Sequence, residues 1–156
     1  MGESCQIVVA GAGNVLLSDD GVGVHAARQL QQEAIPGVAV VEMGAAVLHG
    51  LAFVEQAERV LVLDAVQGGQ PPGTIYQFAV GESHETPALN SLHAMGLREA
   101  LRLLPPGAPR PRLTVLGMEP QSLAYGMELS PPVRGALPRI VALARETIAQ
   151  WSGNRI

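Results

Sequence analysis

The chain contains one cysteine, Cys5, in 156 residues. A single thiol excludes an intrachain disulfide and a thiolate metal cluster built within one chain. It also points to a reducing compartment, so a cytoplasmic location is expected. Aromatic residues are scarce, at 3%, so the core has to be assembled from Val, Leu, Ile, Ala and Met. Charged residues make up only 15%, with a net charge of -4 and no run of like charges. A nucleic-acid surface normally shows as a basic patch; none is visible, and no nucleic-acid partner is expected. No apolar stretch approaches about 18 uninterrupted residues, so no membrane insertion is expected. Met1-Gly2-Glu3-Ser4 lacks the basic start of a signal peptide, and Gln6-Ile7-Val8-Val9-Ala10 is too short for an export core.

What is present is apolar sequence in short runs. Hydrophobic residues make up 47%, enough for a sizeable core and too many for a disordered chain. The length fits a single domain over residues 1–156. Strands are predicted at Cys5–Ala10, Val38–Val41, Val60–Leu63, Thr74–Val80 and Leu113–Leu116. Between them, helical spacing predicts helices from about Asp20 to Ala34, from Ala45 to Ala57 and from Ser91 to Leu104. Ser91 is the expected cap of the third helix. Ser130 before Pro131-Pro132 marks the start of a last helix, in which an irregular or kinked start is expected at Pro138. Strands alternating with helices imply a three-layer α/β/α domain with a largely parallel sheet.

In such a sheet, sites collect beyond the carboxyl ends of the strands. Gly11-Ala12-Gly13 follows the first strand and invites a dinucleotide reading, with Glu42 as the ribose partner. The third glycine of that fingerprint would fall at position 16, which is Leu16. Asp19 and Asp20 would also repel a pyrophosphate. The two acids serve either as helix caps or as groups for metal binding or acid–base work, with capping favoured for Asp19. Asp64 closes the run Val60-Leu61-Val62-Leu63 and must be solvated, hydrogen-bonded or liganded, because burying it bare is costly. His93 stands at a helix start, as a surface group or as a ligand. Asp20, Asp64 and His93 together form an N/O donor set suited to Zn²⁺, Ni²⁺, Mn²⁺ or Fe²⁺. His25, His49 and His84 read as exposed or packing residues. Asn14 reads as a turn former, and Gly11, Gly13, Gly21 and Gly23 as allowing tight backbone paths.

The stretch Gly11-Ala12-Gly13-Asn14-Val15-Leu16-Leu17-Ser18-Asp19-Asp20-Gly21-Val22-Gly23-Val24 resembles the opening signature of [NiFe]-hydrogenase maturation endopeptidases. Val62-Leu63-Asp64-Ala65 and Ser91-Leu92-His93-Ala94 resemble that family's second and third ligand motifs. Pro72-Gly73-Thr74, Val115-Leu116-Gly117-Met118-Glu119-Pro120 and Leu129-Ser130-Pro131-Pro132-Val133 extend the likeness over nearly the whole chain, in order. One stretch departs: Glu42-Met43-Gly44-Ala45 keeps the family's glycine, but its acid is longer and the following hydroxyl is missing. The resemblance implies a five-stranded mixed sheet whose fourth strand is antiparallel. It implies Asp20, Asp64 and His93 as metal ligands and catalytic residues. The implied activity is removal of a C-terminal peptide from the hydrogenase large-subunit precursor after nickel and iron are installed. The nickel is carried by that substrate, although other divalent metals suit the same ligands. Two other functions remain at this point: a nucleotide-binding module, and a non-catalytic chaperone that holds the precursor.

Overall fold

The computed structural model describes residues 7–45, 47–81, 91–108 and 110–153, without the side chains of residues 47–49. Cys5, His84, the side chain of His49 and most of the polar stretch after the fourth strand lie outside the described residues. Five strands alternate with helices: β1 (Ile7–Ala12), α1 (Val22–Glu33), β2 (Val38–Gly44), α2 (Val47–Val54), β3 (Arg59–Ala65), β4 (Ile75–Ala79), α3 (Leu92–Leu101), β5 (Arg112–Met118) and α4 (Pro131–Gly153). They form one sheet in the order β2-β1-β3-β5-β4. β1, β2, β3 and β5 are parallel, and β4 runs antiparallel to β5.

β1 and β3 are apolar along nearly their whole length and buried on both faces, as central parallel strands must be. Alternation divides their side chains between two cores. Val9, Leu61, Leu63, Leu116 and Met118 pack under α1 and α4. Val8, Ala10, Val60, Val62 and Val115 pack under α2 and α3. β4, Ile-Tyr-Gln-Phe-Ala, is only partly buried and closes one edge of the sheet.

Several boundaries differ from the sequence reading: β2 runs on to Gly44, α2 is shorter at Val47–Val54, and β5 is longer at Arg112–Met118. The chain enters α1 through a 3₁₀ turn at Ser18–Gly21, so Asp20 precedes the α-helix rather than beginning it. α1 stops at Ala34, which takes a left-handed φ of 48° ahead of Pro36. α3 ends at Leu101, and Leu104 follows in a turn. Pro138 sits inside α4 without ending it, and the first turn is closed by the Arg134 amide donating to the Ser130 carbonyl at 2.8 Å. No helix among the described residues is long and apolar enough to cross a membrane.

α1 covers one face of the sheet and α2 the other, so the connections leaving and re-entering the β1–β3 pair part company at the carboxyl ends of those strands. That divergence opens a crevice where α/β proteins place their sites.

Candidate active site

Asp64 shares the parity of Val60 and Val62, so its carboxylate turns towards the α2–α3 layer at the carboxyl end of β3. It is 1% exposed and survives burial through hydrogen bonds. Oδ1 accepts from the Ala65 amide at 2.9 Å. Oδ2 accepts from the Ser91 hydroxyl at 2.8 Å and lies 2.9 Å from His93 Nδ1. Ser91 has two tasks, because its oxygen also accepts from the Ala94 amide and caps α3, as expected. The cap thereby fixes where His93 stands. The hydrogen bond to Asp64 raises the His93 pKa above the ordinary imidazole value; burial opposes the rise, and the charges of Asp64 and Asp20 add to it. With Nδ1 engaged by Asp64, Nε2 is the ring atom left for a ligand or a proton.

Asp20 reaches the same corner from β1. Its Oδ2 accepts from the Asn14 amide at 2.8 Å, and the Asn14 side-chain oxygen accepts from the Leu16 amide at 2.9 Å. Asn14 therefore shapes the turn as its chemistry predicts. Gly13, at φ 109°, makes the approach possible. A Cβ there would collide with the Asp20 carbonyl oxygen and lie 3.5 Å from Asp64 Oδ1. The structure thus brings Asp64 and His93 into direct contact and sets Asp20 close enough for its charge to act on the imidazole. Among the described residues, no three His, Cys, Asp or Glu side chains are already gathered as a metal-holding group. The donor chemistry suits a divalent ion, with Asp64 Oδ2 and His93 Nδ1 sharing a hydrogen bond and His93 Nε2 outside it.

Asp19 does not cap its own helix: neither the 3₁₀ turn nor α1 receives a side-chain cap. Its fully buried carboxylate reaches across to the loop between β5 and α4. There it accepts from the amides of Gln121, Ser122 and Ser130 and from the Ser130 hydroxyl, at 2.7–3.0 Å. Burial alone would raise its pKa, but these bonds together hold it below the ordinary carboxylate value. Glu119 has a comparable position that the sequence reading left without a role. Its Oε1 accepts from the amides of Gly68 and Gln70 and from the Tyr76 hydroxyl, fixing the loop that leaves β3 beside Asp64. The signal that singled out Asp64, an acid closing an apolar strand, was present at Met118-Glu119 too.

Gly11, on which the dinucleotide reading began, and Gly23 both serve packing. A Cβ on Gly11 would meet the Ala27 Cβ at 2.6 Å, and one on Gly23 would overlap the Leu63 carbonyl oxygen. These glycines seat α1 on the sheet. Glu42 is engaged by Arg28 at 2.9 Å. His25 is a partly buried packing residue whose pKa is lowered by burial and by Arg28. A cavity of about 800 Å³ lies elsewhere, at the amino ends of β3 and β5, lined by Arg59, Arg98, Arg102, Arg110 and Arg112 among others. It contains none of Asp20, Asp64 or His93.

An α/β/α fold with two carboxylates and an imidazole at the switch point is compatible with hydrolytic chemistry, and comparison with known proteins narrows the class. A profile of the hydrogenase maturation protease family (HycI) matches residues 24–147. The hydrogenase expression/formation protein HupD of Rhizobium leguminosarum bv. viciae is 33% identical over 155 residues, covering 94% of this chain and 75% of the relative. The corresponding protein HoxM of Cupriavidus necator is 33% identical over 156 residues, covering 94% and 76%. Among solved structures, the hydrogenase maturating endopeptidase HybD from E. coli superposes with a TM-score of 0.77 at 25% identity, over 93% of each chain. The [NiFe] hydrogenase maturation protease HybD from Thermococcus kodakarensis gives 0.74 at 27% identity, over 91% of this chain and 98% of that one. The protein is a peptidase. It belongs to the hydrogenase maturation protease family.

Proposed function

We propose that this peptidase removes a C-terminal peptide from the nickel-loaded [NiFe]-hydrogenase large-subunit precursor, with Asp20, Asp64 and His93 as its working groups. The observation that carries the assignment of these residues is the Asp64–His93 contact at 2.9 Å, at the carboxyl end of β3 and within reach of the Asp20 charge. Asp64 orients the imidazole and sets its tautomer, an arrangement common for histidines that ligate metals. His93 Nε2 and the Asp20 carboxylate then face the incoming chain as ligand or proton-accepting atoms. Nickel belongs here to the substrate: it would dock the cleavage segment and polarise the scissile carbonyl or activate water. Other divalent ions suit the same donors. Residues 1–156 work as a single domain, in the cytoplasm.

The test is a mass measurement on the purified precursor after incubation. Wild-type protein should shorten it from the C-terminus, and the Asp64→Asn variant should leave it whole. A precursor of unchanged mass with wild-type protein, under conditions where it is bound, would instead favour a holding role.

A further inference from the structure

Large apolar side chains gathered on a surface usually mark a place where something binds. Seven are exposed among the described residues, and five of them flank the site: Leu16, Leu92, Leu123, Tyr125 and Met127. Only Phe53 and Leu103 stand elsewhere. Tyr125 is 92% exposed and Met127 71%, in a chain that has only two tyrosines. Tyrosine and methionine are among the residues enriched at the centres of protein interfaces.

The backbone explains why these side chains share one rim. Leu16 lies on the turn that holds Asn14 and Asp20. Its carbonyl accepts from the Gly126 amide at 2.9 Å, and the Ser18 amide donates to the Gly126 carbonyl at 2.8 Å. Tyr125 and Met127 therefore flank the residue that bridges Leu17. The Ser18 hydroxyl donates to the Ala124 carbonyl at 2.7 Å, and Asp19 holds the same loop at Gln121, Ser122 and Ser130. On α3, Leu92 stands exposed between Ser91 and His93, both bonded to Asp64. Exposed apolar side chains thus stand on both elements that carry site residues, the loop pair around Asp20 and the start of α3.

We infer that this rim is the docking surface for the precursor, gripping apolar side chains on both sides of the scissile bond. The inference rests on the function proposed above. It commits to one occupant because the rim is continuous with the site: Leu16, Tyr125 and Met127 belong to the turn that carries Asp20 and the loop bonded to it, and Leu92 adjoins Ser91 and His93, both bonded to Asp64. The hydrogen bonds that stitch the two loops fix the rim before binding, which lowers the ordering cost of docking. It supplies affinity and register, while Asp20, Asp64 and His93 supply the chemistry.

The experiment compares wild-type protein, Tyr125→Ser/Met127→Ser and the remote control Phe53→Ser/Leu103→Ser on purified precursor. Initial rates give KM and kcat, and surface-immobilised precursor gives binding directly. Loss of two central apolar anchors should weaken binding and raise KM about tenfold or more, with kcat within about twofold of wild type and the control unchanged. An unchanged KM and unchanged binding in the rim variant would overturn the inference, as would equal losses in the control. If wild-type protein binds the precursor through the rim but never cuts it, docking stands and the proposed cleavage falls. If wild-type protein does not bind the precursor at all, both fall.

Discussion

His93 and His25 both lie in helices, yet their surroundings push their pKa values in opposite directions. His93 is raised, chiefly by its hydrogen bond to Asp64; His25 is lowered, chiefly by burial. NMR titration should therefore place His93 above and His25 below the ordinary value of about 6.5. Asp64→Asn should lower the His93 midpoint and leave His25 alone. His93 titrating below His25, or indifferent to Asp64→Asn, would contradict the assigned contact. The sign for stability follows. Because the folded His93 pKa exceeds the unfolded one, the contribution of the pair is fully present below the unfolded value and is lost as pH rises through the folded value. On the precursor, Asp20→Asn, Asp64→Asn and His93→Ala should each reduce processing by at least about a hundredfold while circular dichroism stays native, as for loss of a group acting in the transition state. Full processing by His93→Ala would remove it from the site. Asp64 was legible because an acid ending an apolar strand needs partners, and His93 because its helix cap was visible at Ser91. Asp19 was legible as an acid but not in its role. Its hydrogen-bond partners lie more than 100 residues away in sequence, at separations of 102 to 111, which no local pattern encodes.

Two contacts decide how the elements are held around the corner. The first is the close approach of α1 to β3 at Gly23, where a Cβ would overlap the Leu63 carbonyl oxygen. Gly23→Ala should push the helix off the strand and cost about 1–3 kcal/mol, the usual range for overpacking. Urea unfolding would read this as a lower midpoint at unchanged slope; wild-type stability would show that the contact is not tight. The second is the Asp19 clamp. Asp19→Ala leaves three backbone amides and the Ser130 hydroxyl without their acceptor, and should cost about 3 kcal/mol or more in thermal or urea unfolding. Its lowered pKa gives the opposite sign from His93: the contribution is present above the unfolded carboxylate value and is lost as pH falls through the folded one. Wild-type protein should accordingly lose more stability in acid than Asp19→Ala does. A variant as stable as wild type would show that the clamp contributes nothing. At this scale the alternation of strands and helices could be read from apolar spacing, since β1 and β3 are nearly pure aliphatic runs. The 3₁₀ turn before α1 could not. Ser18-Asp19-Asp20-Gly21 has the composition of an ordinary helix start, and the distortion arises from the distant loop that bonds Ser18 and Asp19.

The whole molecule places Asp20, Asp64 and His93 at one end of the sheet and the arginine-lined cavity at the other. Asp20 follows β1, Asp64 lies at the carboxyl end of β3, and His93 is delivered by α3; neighbouring strands and a capped helix therefore meet where the crossovers diverge. The antiparallel course of β4 came from the family resemblance and not from periodicity, because an edge strand of five residues reads the same in either direction. At the carboxyl end of β3, Asp64 and His93 bond each other, and among the described residues no three His, Cys, Asp or Glu side chains are gathered as a metal-holding group. On the function proposed above, the metal would arrive with the partner, and a precursor without metal would lack part of its docking contact, which would give specificity. The most direct test incubates the purified protein with nickel-loaded and nickel-free large-subunit precursor and follows the mass of each C-terminus. The account expects the loaded form to lose its C-terminal peptide and the nickel-free form to remain whole; equal cleavage of both forms, or of neither, would contradict it.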